Sequence, residues 1–241
     1  MSDPEKTLTV KSSDHGQPGL YVTLKDNTRI ELTRENIEKT TSAYWADPTK
    51  IPPGVKKAVE FQRCEFCPMR EKADFCDALR PVLPLLDALD SYNSFDSATA
   101  VYRGENKELH HLSFTSMQRV LRYISTLSLM GYCRVGRKYW KYFTGIIPVL
   151  GIEAIVNRMY LNMYWLHNGN TDAVDRVISE LNSVILVTAK NQMARLRLIC
   201  KNDAFLNAFA LTHMITTLLY DVKDSNLLEQ MERFEDGKSY G

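Results

Sequence analysis

Four cysteines constrain this chain more than any other feature of its sequence. Cys64 and Cys67 have two residues between them, Cys76 follows nine residues after Cys67, and Cys133 stands alone further along the chain. A C-x-x-C turn presents two sulfurs to one tetrahedral centre, and a closed zinc site needs four such ligands. The spacing therefore predicts a metal site at these four cysteines, and distant segments of the chain must meet around it.

Two other interpretations of the cysteines remain open on spacing alone. Cys64 and Cys67 can act as a redox dithiol that closes a reversible disulfide, or the cysteines can be buried, inert thiols. One zinc ion is preferred to an iron–sulfur cluster, because the gap between Cys67 and Cys76 matches no ferredoxin spacing. Four thiolates leave no open coordination position, so we expect a structural metal rather than a catalytic one. Cys200 lies in an apolar helical stretch and is predicted to be a core thiol.

The composition is that of an ordinary globular protein and indicates no charged partner. Among 241 residues, 30 Lys and Arg nearly balance 29 Asp and Glu. This balance creates no global field, so we expect neither specific nucleic-acid binding nor a membrane partner. The N-terminus lacks the apolar run of a signal peptide, and the cysteine usage favours thiols or metal ligands over disulfides. These features predict a cytoplasmic protein, bacterial in style.

Alternation of apolar and polar residues predicts strands in the first half of the chain. Asp26-Asn27 is a turn signal between two of them, and Gly104-Glu-Asn joins a later pair. The prolines and Gly54 within residues 34–58 predict an irregular connector. The predicted strands are residues 8–10, 20–24 and 30–32 in a meander, and 97–102 and 108–114 in a hairpin.

Helical periodicity dominates the second half of the chain. Apolar residues recur every three or four positions from Met117 onward, and capping signals divide the stretch into helices. A shorter helix is predicted earlier, from Asp77 to about Leu89. The later predicted helices run from an N-cap at Ser113 or Thr115 to Gly131, from Pro148 to Asn168-Gly169, from Asn170 or Thr171 to about Leu198, and from Asn202 or Asp203 to about Tyr220.

The predicted fold class is α+β, with a small N-terminal antiparallel β part and a β-hairpin packed on a C-terminal antiparallel helical bundle. Residues 1–60 are assigned to the meander and connector. Residues 61–225 form the cysteine motif and helical core, as one domain with the former segment. Residues 226–241 are assigned to a frayed tail.

Several residues outside the C-x-x-C pair extend the cysteine motif. They are Gln62, Pro68-Met69, Ala78-Leu79, Gly131, Glu153, Arg158-Met-Tyr160-Leu, Asn191-x-Met193-Ala-Arg195-Leu-Arg197 and Asp203-Ala-x-x-Asn207-Ala208. This pattern resembles the signature of an uncharacterised bacterial cysteine-motif family, a domain of unknown function, most strongly over residues 60–220. In that family a proline follows the third and fourth cysteines, where this chain has Asp77 and Arg134. The resemblance implies no established activity.

Polar residues embedded in the apolar helices form a second candidate site. They are Glu153, Arg158, Asn191, Arg195, Arg197, Asp203 and Asn207. Under one interpretation they form a structural seam, in which Arg195 or Arg197 pairs with Asp203 across a short connection between helices. Under the other, Glu153 and Arg158 join them in a pocket for a small anion or a carboxylate. The seam is favoured because structural ion pairs outnumber ligand sites.

A basic segment that alternates with aromatic residues follows Cys133. Its cations are Arg134, Arg137, Lys138 and Lys141, interleaved with Tyr139, Trp140 and Tyr142. Such a segment can grip phosphate or single-stranded nucleic acid. Because the chain as a whole is nearly neutral, a solvated loop is the favoured interpretation.

Three hypotheses for the function follow from these sites. The favoured one is a regulatory or interaction module stabilised by a structural zinc ion bound to four cysteines. The alternatives are an enzyme or small-molecule sensor that uses the anion pocket, and a thiol redox switch at Cys64 and Cys67. The expected partner is an unknown protein or a small anionic ligand.

Overall fold

The computed structural model of this protein describes residues 16–47, 49, 51, 53–61, 63–71, 76–82, 85 and 92–224. The strand predicted at residues 8–10, the predicted tail 226–241 and part of the helix predicted from Asp77 to Leu89 lie outside these residues. Where that helix is described, Asp77–Leu79 forms a short 3-10 helix.

Strands and helices combine in an α+β fold, which confirms the predicted class. The strands are β1 (Gly19–Thr23), β2 (Arg29–Thr33), β3 (Ser97–Arg103) and β4 (Leu109–Ser116). The α-helices are α1 (Arg34–Ala46), α2 (Pro53–Glu60), α3 (Met117–Thr126), α4 (Ile152–Leu166), α5 (Thr171–Leu196) and α6 (Ala204–Asp224). In the described part of the chain, no helix is both long enough and apolar enough to cross a bilayer.

One antiparallel sheet contains the four described strands, in the order β2-β1-β3-β4. β1 lies between two partners, with Leu20 opposite Leu32 of β2 and opposite Tyr102 of β3. The predicted meander and the predicted hairpin therefore belong to a single sheet. Asn27 takes a positive φ of 65° in the turn between β1 and β2, a conformation that asparagine tolerates, so the predicted turn is confirmed.

The sheet and the helices share one apolar core. Leu20 and Ala100 of the sheet belong to the same buried cluster as Leu121, Met159 and Phe205 of the helices. Within the bundle, α6 packs against α3, α4 and α5. Burial of this apolar surface is the main force that holds the sheet against the bundle.

Small polar residues allow α3 and α6 to approach closely. Ser125 of α3 donates a hydrogen bond to the carbonyl oxygen of Ala208 at 3.0 Å, and its hydroxyl lies 2.5 Å from that of Thr212. Ser125 and Thr212 are fully buried, and these bonds satisfy their hydroxyls. The contact therefore costs little free energy, although it buries two hydroxyl groups in the core.

The irregular connector predicted over residues 34–58 is wrong, because most of this stretch is helical. α1 begins directly after Thr33, whose hydroxyl accepts a hydrogen bond from Asn36 N at 3.2 Å and caps the helix. Pro53 occupies the first position of α2, where its missing N–H costs no helical hydrogen bond. A proline here marks the start of a helix rather than an irregular chain.

The predicted boundary between α4 and α5 is confirmed. Asn168 and Gly169 end α4 with positive φ values of 53° and 75°. Asn170 then caps α5, because its side-chain oxygen accepts a hydrogen bond from Ala173 N at 2.9 Å.

Both predicted ends of the helix after β4 are wrong. β4 continues to Ser116, which is the N-cap of α3, so neither Ser113 nor Thr115 begins the helix. Gly131 does not end it, because Leu127–Tyr132 prolongs the helix with the wider hydrogen-bond spacing of a π-helix. Such a segment is rare, and no periodicity in the sequence indicates it.

Candidate metal centre and the polar residues around it

The four cysteines predicted to bind metal line one small cavity of about 30 Å³. Cys64 and Cys133 are buried, and Cys67 and Cys76 are partly buried. The cavity has roughly the volume that one water molecule occupies in the liquid, so it has room for a single ion. Distant segments therefore meet at this point of the fold.

Three local structures position the cysteines. The backbone N–H of Cys67 donates to the carbonyl oxygen of Cys64 at 3.1 Å, which closes the C-x-x-C turn. Cys76 is the N-cap of the 3-10 helix Asp77–Leu79. Cys133 is the C-cap residue of the π-helical segment, so the unusual end of α3 sets the position of the fourth sulfur.

Gly136 allows the chain to turn tightly after Cys133. A Cβ atom at this position would lie 1.8 Å from the carbonyl oxygen of Leu129 and 3.6 Å from the Cβ of Cys133. Any larger residue would push the backbone of the π-helical segment away, because the first of these atoms belongs to the main chain. The glycine is therefore part of what places Cys133.

Helix α5 supplies one wall of the cavity. Asn191 Nδ2 donates to Cys64 Sγ at 3.2 Å, and Gln192 Nε2 lies 3.6 Å from Cys76 Sγ. Gln192 is 3% exposed, and its Oε1 accepts no hydrogen bond from the described residues. Amide donors to sulfur are typical of the groups that surround a thiolate–metal centre. The sequence indicated Asn191 but not Gln192, whose polar character inside an apolar helix was the available signal.

Arg195 places a positive charge beside the same cavity. Its side chain is 1% exposed and lines the cavity, and its Nε donates to the carbonyl oxygen of Phe61 at 2.6 Å. Burying a guanidinium costs free energy unless anions and hydrogen-bond acceptors compensate it. Arg195 also acts on Cys64, where its charge favours the thiolate.

Burial disfavours the thiolate forms of the two most buried cysteines. It raises the pKa of Cys64, although the Asn191 hydrogen bond and the Arg195 charge oppose this effect. It raises the pKa of Cys133 to about 11. Without a metal both are therefore thiols at neutral pH, unlike the low-pKa thiol of a redox nucleophile. A metal ion that binds here must displace their protons.

The sulfurs do not lie at coordination distances from a common point. In the described ranges, no three Cys, His, Asp or Glu side chains are close enough to hold a metal ion. None of the five cysteines forms a disulfide. The four sulfurs that share the cavity would have to move inward to bind one ion.

The other predicted polar residues do not gather at one site. Asp203 is exposed at the start of α6, and its carboxylate accepts hydrogen bonds from Ser94 N at 2.8 Å and Asn207 Nδ2 at 3.0 Å. The predicted pairing of Asp203 with Arg195 is wrong, because Arg195 faces the cysteine cavity instead. The hydrogen bonds among Ser94, Asp203 and Asn207 connect the loop before β3 to the start of α6.

The remaining members of the predicted pocket lie on the surface. Glu153 and Arg158 are exposed on α4, and the guanidinium of Arg158 lies 5.7 Å from the ring centre of Trp165. Arg197 is exposed as the C-cap residue of α5. Arg195, by contrast, is buried at the cysteine cavity, so the members of the predicted pocket have different surroundings and the pocket stays a prediction.

The hydrogen bonds of Asp203 predict that the stability of the fold depends on pH. Hydrogen bonds from Ser94 hold the pKa of Asp203 below its ordinary value of 3.8. The stabilisation is therefore present above that value and is lost as the pH falls through the lowered pKa. We expect Asp203→Ala to lower the free energy of unfolding at neutral pH by about 1 kcal/mol, the usual net contribution of a hydrogen bond such as the one from Ser94 N.

Thermal unfolding of both proteins from neutral pH down to about pH 2 measures this effect. The difference in melting temperature should begin to shrink near pH 3.8 and should be lost once the pH falls below the lowered pKa of Asp203. Asp203→Asn is the matched control, because it keeps an acceptor for Ser94 N. A difference that stays constant over the whole range would show that the charge of Asp203 contributes nothing.

The basic segment after Cys133 is not the solvated loop that the sequence favoured. Gly136–Phe143 forms a 3-10 helix that buries Tyr139 and Tyr142 and exposes Trp140. The phenol oxygen of Tyr142 lies 2.9 Å from Nε2 of His167. Two of the three interleaved aromatic residues therefore pack in the core, with Lys138 Nζ 4.8 Å from the ring centre of Tyr139 and Lys141 Nζ 4.9 Å from that of Tyr142.

Comparison with known proteins brings no relative of this chain. No protein-family model matches it, and the searches of curated proteins and of solved structures found no match either. The resemblance to an uncharacterised bacterial cysteine-motif family therefore stays a prediction, and so does the bacterial source.

Proposed function

We propose that this protein is a regulatory or interaction module whose fold is stabilised by one structural zinc ion bound to Cys64, Cys67, Cys76 and Cys133. The observation that carries the proposal is that all four residues line one ion-sized cavity. No other residue type is needed to complete a tetrahedral zinc site. A closed site of this kind holds segments together and performs no chemistry.

The charges around the cavity support a metal-thiolate centre. Its lining carries four arginines and one carboxylate, Asp77. Four thiolates and one Zn²⁺ form a dianion, which such surroundings stabilise. The arginines are Arg63, Arg70, Arg134 and Arg195.

The position of the cavity supports a structural role. The C-x-x-C turn follows α2, and α5 forms the opposite contact through Asn191 and Gln192. One ion would therefore fasten the segment after α2 to the bundle and to the end of α3. Because such an ion binds the folded chain alone, its binding energy adds to the stability of the fold.

A partner for the module has apolar surface available to it. Several large apolar side chains of the helices are exposed, among them Trp165 at 60% and Leu166 at 53% at the end of α4. Exposed apolar residues of this size are typical of surfaces that bind other proteins when they lie together. We propose the cytoplasm as the compartment, because a reducing environment keeps the four cysteines of the cavity reduced and able to bind a metal.

Serine substitutions test the proposed ligands one at a time. We expect Cys64→Ser and Cys133→Ser to lose the bound metal, because a neutral hydroxyl is a poor replacement for a thiolate. Cys200→Ser is the matched control, since Cys200 does not line the cavity, and it should keep full metal content. These outcomes are distinguished by the metal content per chain, which elemental mass spectrometry measures.

Full retention of the metal by Cys133→Ser, with unchanged affinity, would exclude the four-cysteine site. The fourth ligand would then be water or another side chain, and a catalytic role would become the better proposal. Reversible formation of a disulfide between Cys64 and Cys67, with no metal bound, would instead support the redox switch.

A further inference from the structure

A second cavity, of about 820 Å³, lies next to the cysteine cavity and shares Asp77 and Arg134 with it. The start of α1, the π-helical segment and the 3-10 helix Gly136–Phe143 contribute to its walls. We call this cavity the cleft. Its volume is in the range of pockets that enclose small organic ligands, and π-helical segments occur frequently at functional sites.

The cleft has an excess of positive charge. Five cations line it, against the three carboxylates of Glu38, Asp77 and Glu105. The five are Arg34, Arg80, Arg134, Arg137 and Lys138. An anion is therefore the ligand that its walls favour.

Three of the five cations are already neutralised by carboxylates. Asp77 accepts hydrogen bonds from Arg80 at 2.9 Å and from Arg134 at 2.5 Å, and Arg80 also lies 3.8 Å from a carboxylate oxygen of Glu38. Lys138 forms an ion pair with Glu180, which does not line the cleft.

The two remaining cations are Arg34 and Arg137. Over the described part of the chain, neither takes part in an ion pair. Both side chains are exposed to solvent at the cleft. These two guanidinium groups are therefore available to a ligand.

The cleft also presents aromatic surface. Trp140 is 43% exposed and stacks on Phe143, with ring centres 6.1 Å apart and planes inclined by 12°. Tyr102 and Tyr132 line the same cleft. A flat ring of a ligand can stack on such side chains, which adds binding energy without a demand for one particular hydrogen-bond pattern.

We propose that the cleft binds a small aromatic phosphate, meaning a phosphate ester that carries a flat ring. Guanidinium groups bind phosphate oxygens in a two-pronged geometry, which assigns the phosphate to Arg34 and Arg137. The ring packs against the aromatic wall that includes Trp140. This proposal does not depend on the metal, because none of the groups assigned to the ligand belongs to a cysteine of the cavity.

A small ligand fits the cleft better than a nucleic-acid strand. A strand needs a continuous track of cations, whereas Glu38 and Glu105 interrupt the lining and the chain as a whole is nearly neutral.

Isothermal titration calorimetry on the full-length protein as purified tests the proposal. The probes are phenyl phosphate and the four nucleoside monophosphates, compared with inorganic phosphate and with phenol. We expect at least one aromatic phosphate to bind more tightly than inorganic phosphate or phenol. Only such a ligand contacts the two arginines with its phosphate and the aromatic wall with its ring.

Three variants locate the binding in the cleft. Arg34→Gln and Arg137→Gln should each weaken binding about tenfold, the effect of one lost charged hydrogen bond. Trp140→Ala should also weaken it, because the ring loses its stacking partner. Arg176→Gln removes an exposed arginine on α5 outside the cleft lining and should leave the affinity unchanged.

Failure of all five aromatic phosphates to bind at millimolar concentration would overturn the proposal. So would equal affinity for phenyl phosphate and inorganic phosphate, or equal losses in Arg137→Gln and Arg176→Gln. Tighter binding of a single-stranded oligonucleotide, with an affinity that falls steeply as salt is raised, would replace the small ligand by nucleic acid. The melting temperature of each variant confirms that it is folded before the titration.

Discussion

Removal of the metal with a chelator is expected to lower the free energy of unfolding by several kcal/mol. The proposed ion binds the native chain and no ordered site exists after unfolding, so its binding free energy contributes directly to the stability. Chelation would also leave Cys64 and Cys133 as buried thiols and remove the anion that faces Arg195. Urea unfolding at neutral pH, with and without the chelator, measures the difference.

Hydrogen exchange should locate the same effect within the fold. Amides of the C-x-x-C turn and of the segment Leu127–Tyr132 are expected to lose protection after chelation, whereas the centre of the sheet should change little. Added zinc should restore the original unfolding curve, and added calcium should not, because calcium prefers oxygen ligands. Identical unfolding curves with and without chelator would show that no metal stabilises this fold.

Arg195→Met is expected to be the most costly single substitution outside the cysteines. Removing one partner of a buried charged assembly typically costs about 3–5 kcal/mol. Methionine keeps much of the volume, so the loss reflects the charge and the hydrogen bond to Phe61 rather than a large cavity. Arg197→Met is the matched control, because Arg197 is exposed two residues further on, and it should change stability by about 0.5 kcal/mol or less.

The cost of Arg195→Met should depend on the metal. With zinc bound, the substitution removes one of the four arginines that line the cavity of a dianionic centre, whereas after chelation Cys64 and Cys133 are neutral thiols. We therefore expect a smaller loss of stability in the metal-free protein, measured as a double cycle of mutation and chelation. An equal loss in both states would mean that Arg195 only supports the backbone at Phe61.

Much of the architecture could be predicted because the local signals agree with the tertiary fold. β3, β4 and the helices from α3 onward follow clear apolar periodicity, and Asn168 to Asn170 carry the capping chemistry that ends α4 and starts α5. Where one residue type decides a boundary by its own conformation, as Gly169 does with a φ of 75°, the sequence is informative.

Other elements depend on contacts that the sequence does not display. The prolines near α1 and α2 predict an irregular chain, because proline usually interrupts a helix, although Pro53 begins one here. The π-helical extension of α3 has no periodicity of its own. Gln192 and Arg195 were hard to assign because helical spacing places residues on a face without saying which distant segment, here the cysteine motif, covers that face.

At the candidate site only the grouping of the four cysteines could be predicted, and their binding of a metal stays a prediction. The spacing of Cys64, Cys67 and Cys76 suggested that their sulfurs converge, and the structure does place them around one cavity together with Cys133. The cleft could not be predicted, because its walls come from segments that are far apart in the sequence. Arg34 and Arg137 meet there only after the sheet, α3 and the 3-10 helix have packed.

The most direct measurement is elemental analysis of the protein purified without oxygen, together with its visible spectrum. We expect about one zinc ion per chain and no visible absorption, because zinc has a filled d shell. A brown protein that contains iron would support the cysteines as metal ligands but would exclude zinc as the metal. A folded protein that contains no stoichiometric metal, and in which all the cysteines react as free thiols once unfolded, would contradict the metal centre itself.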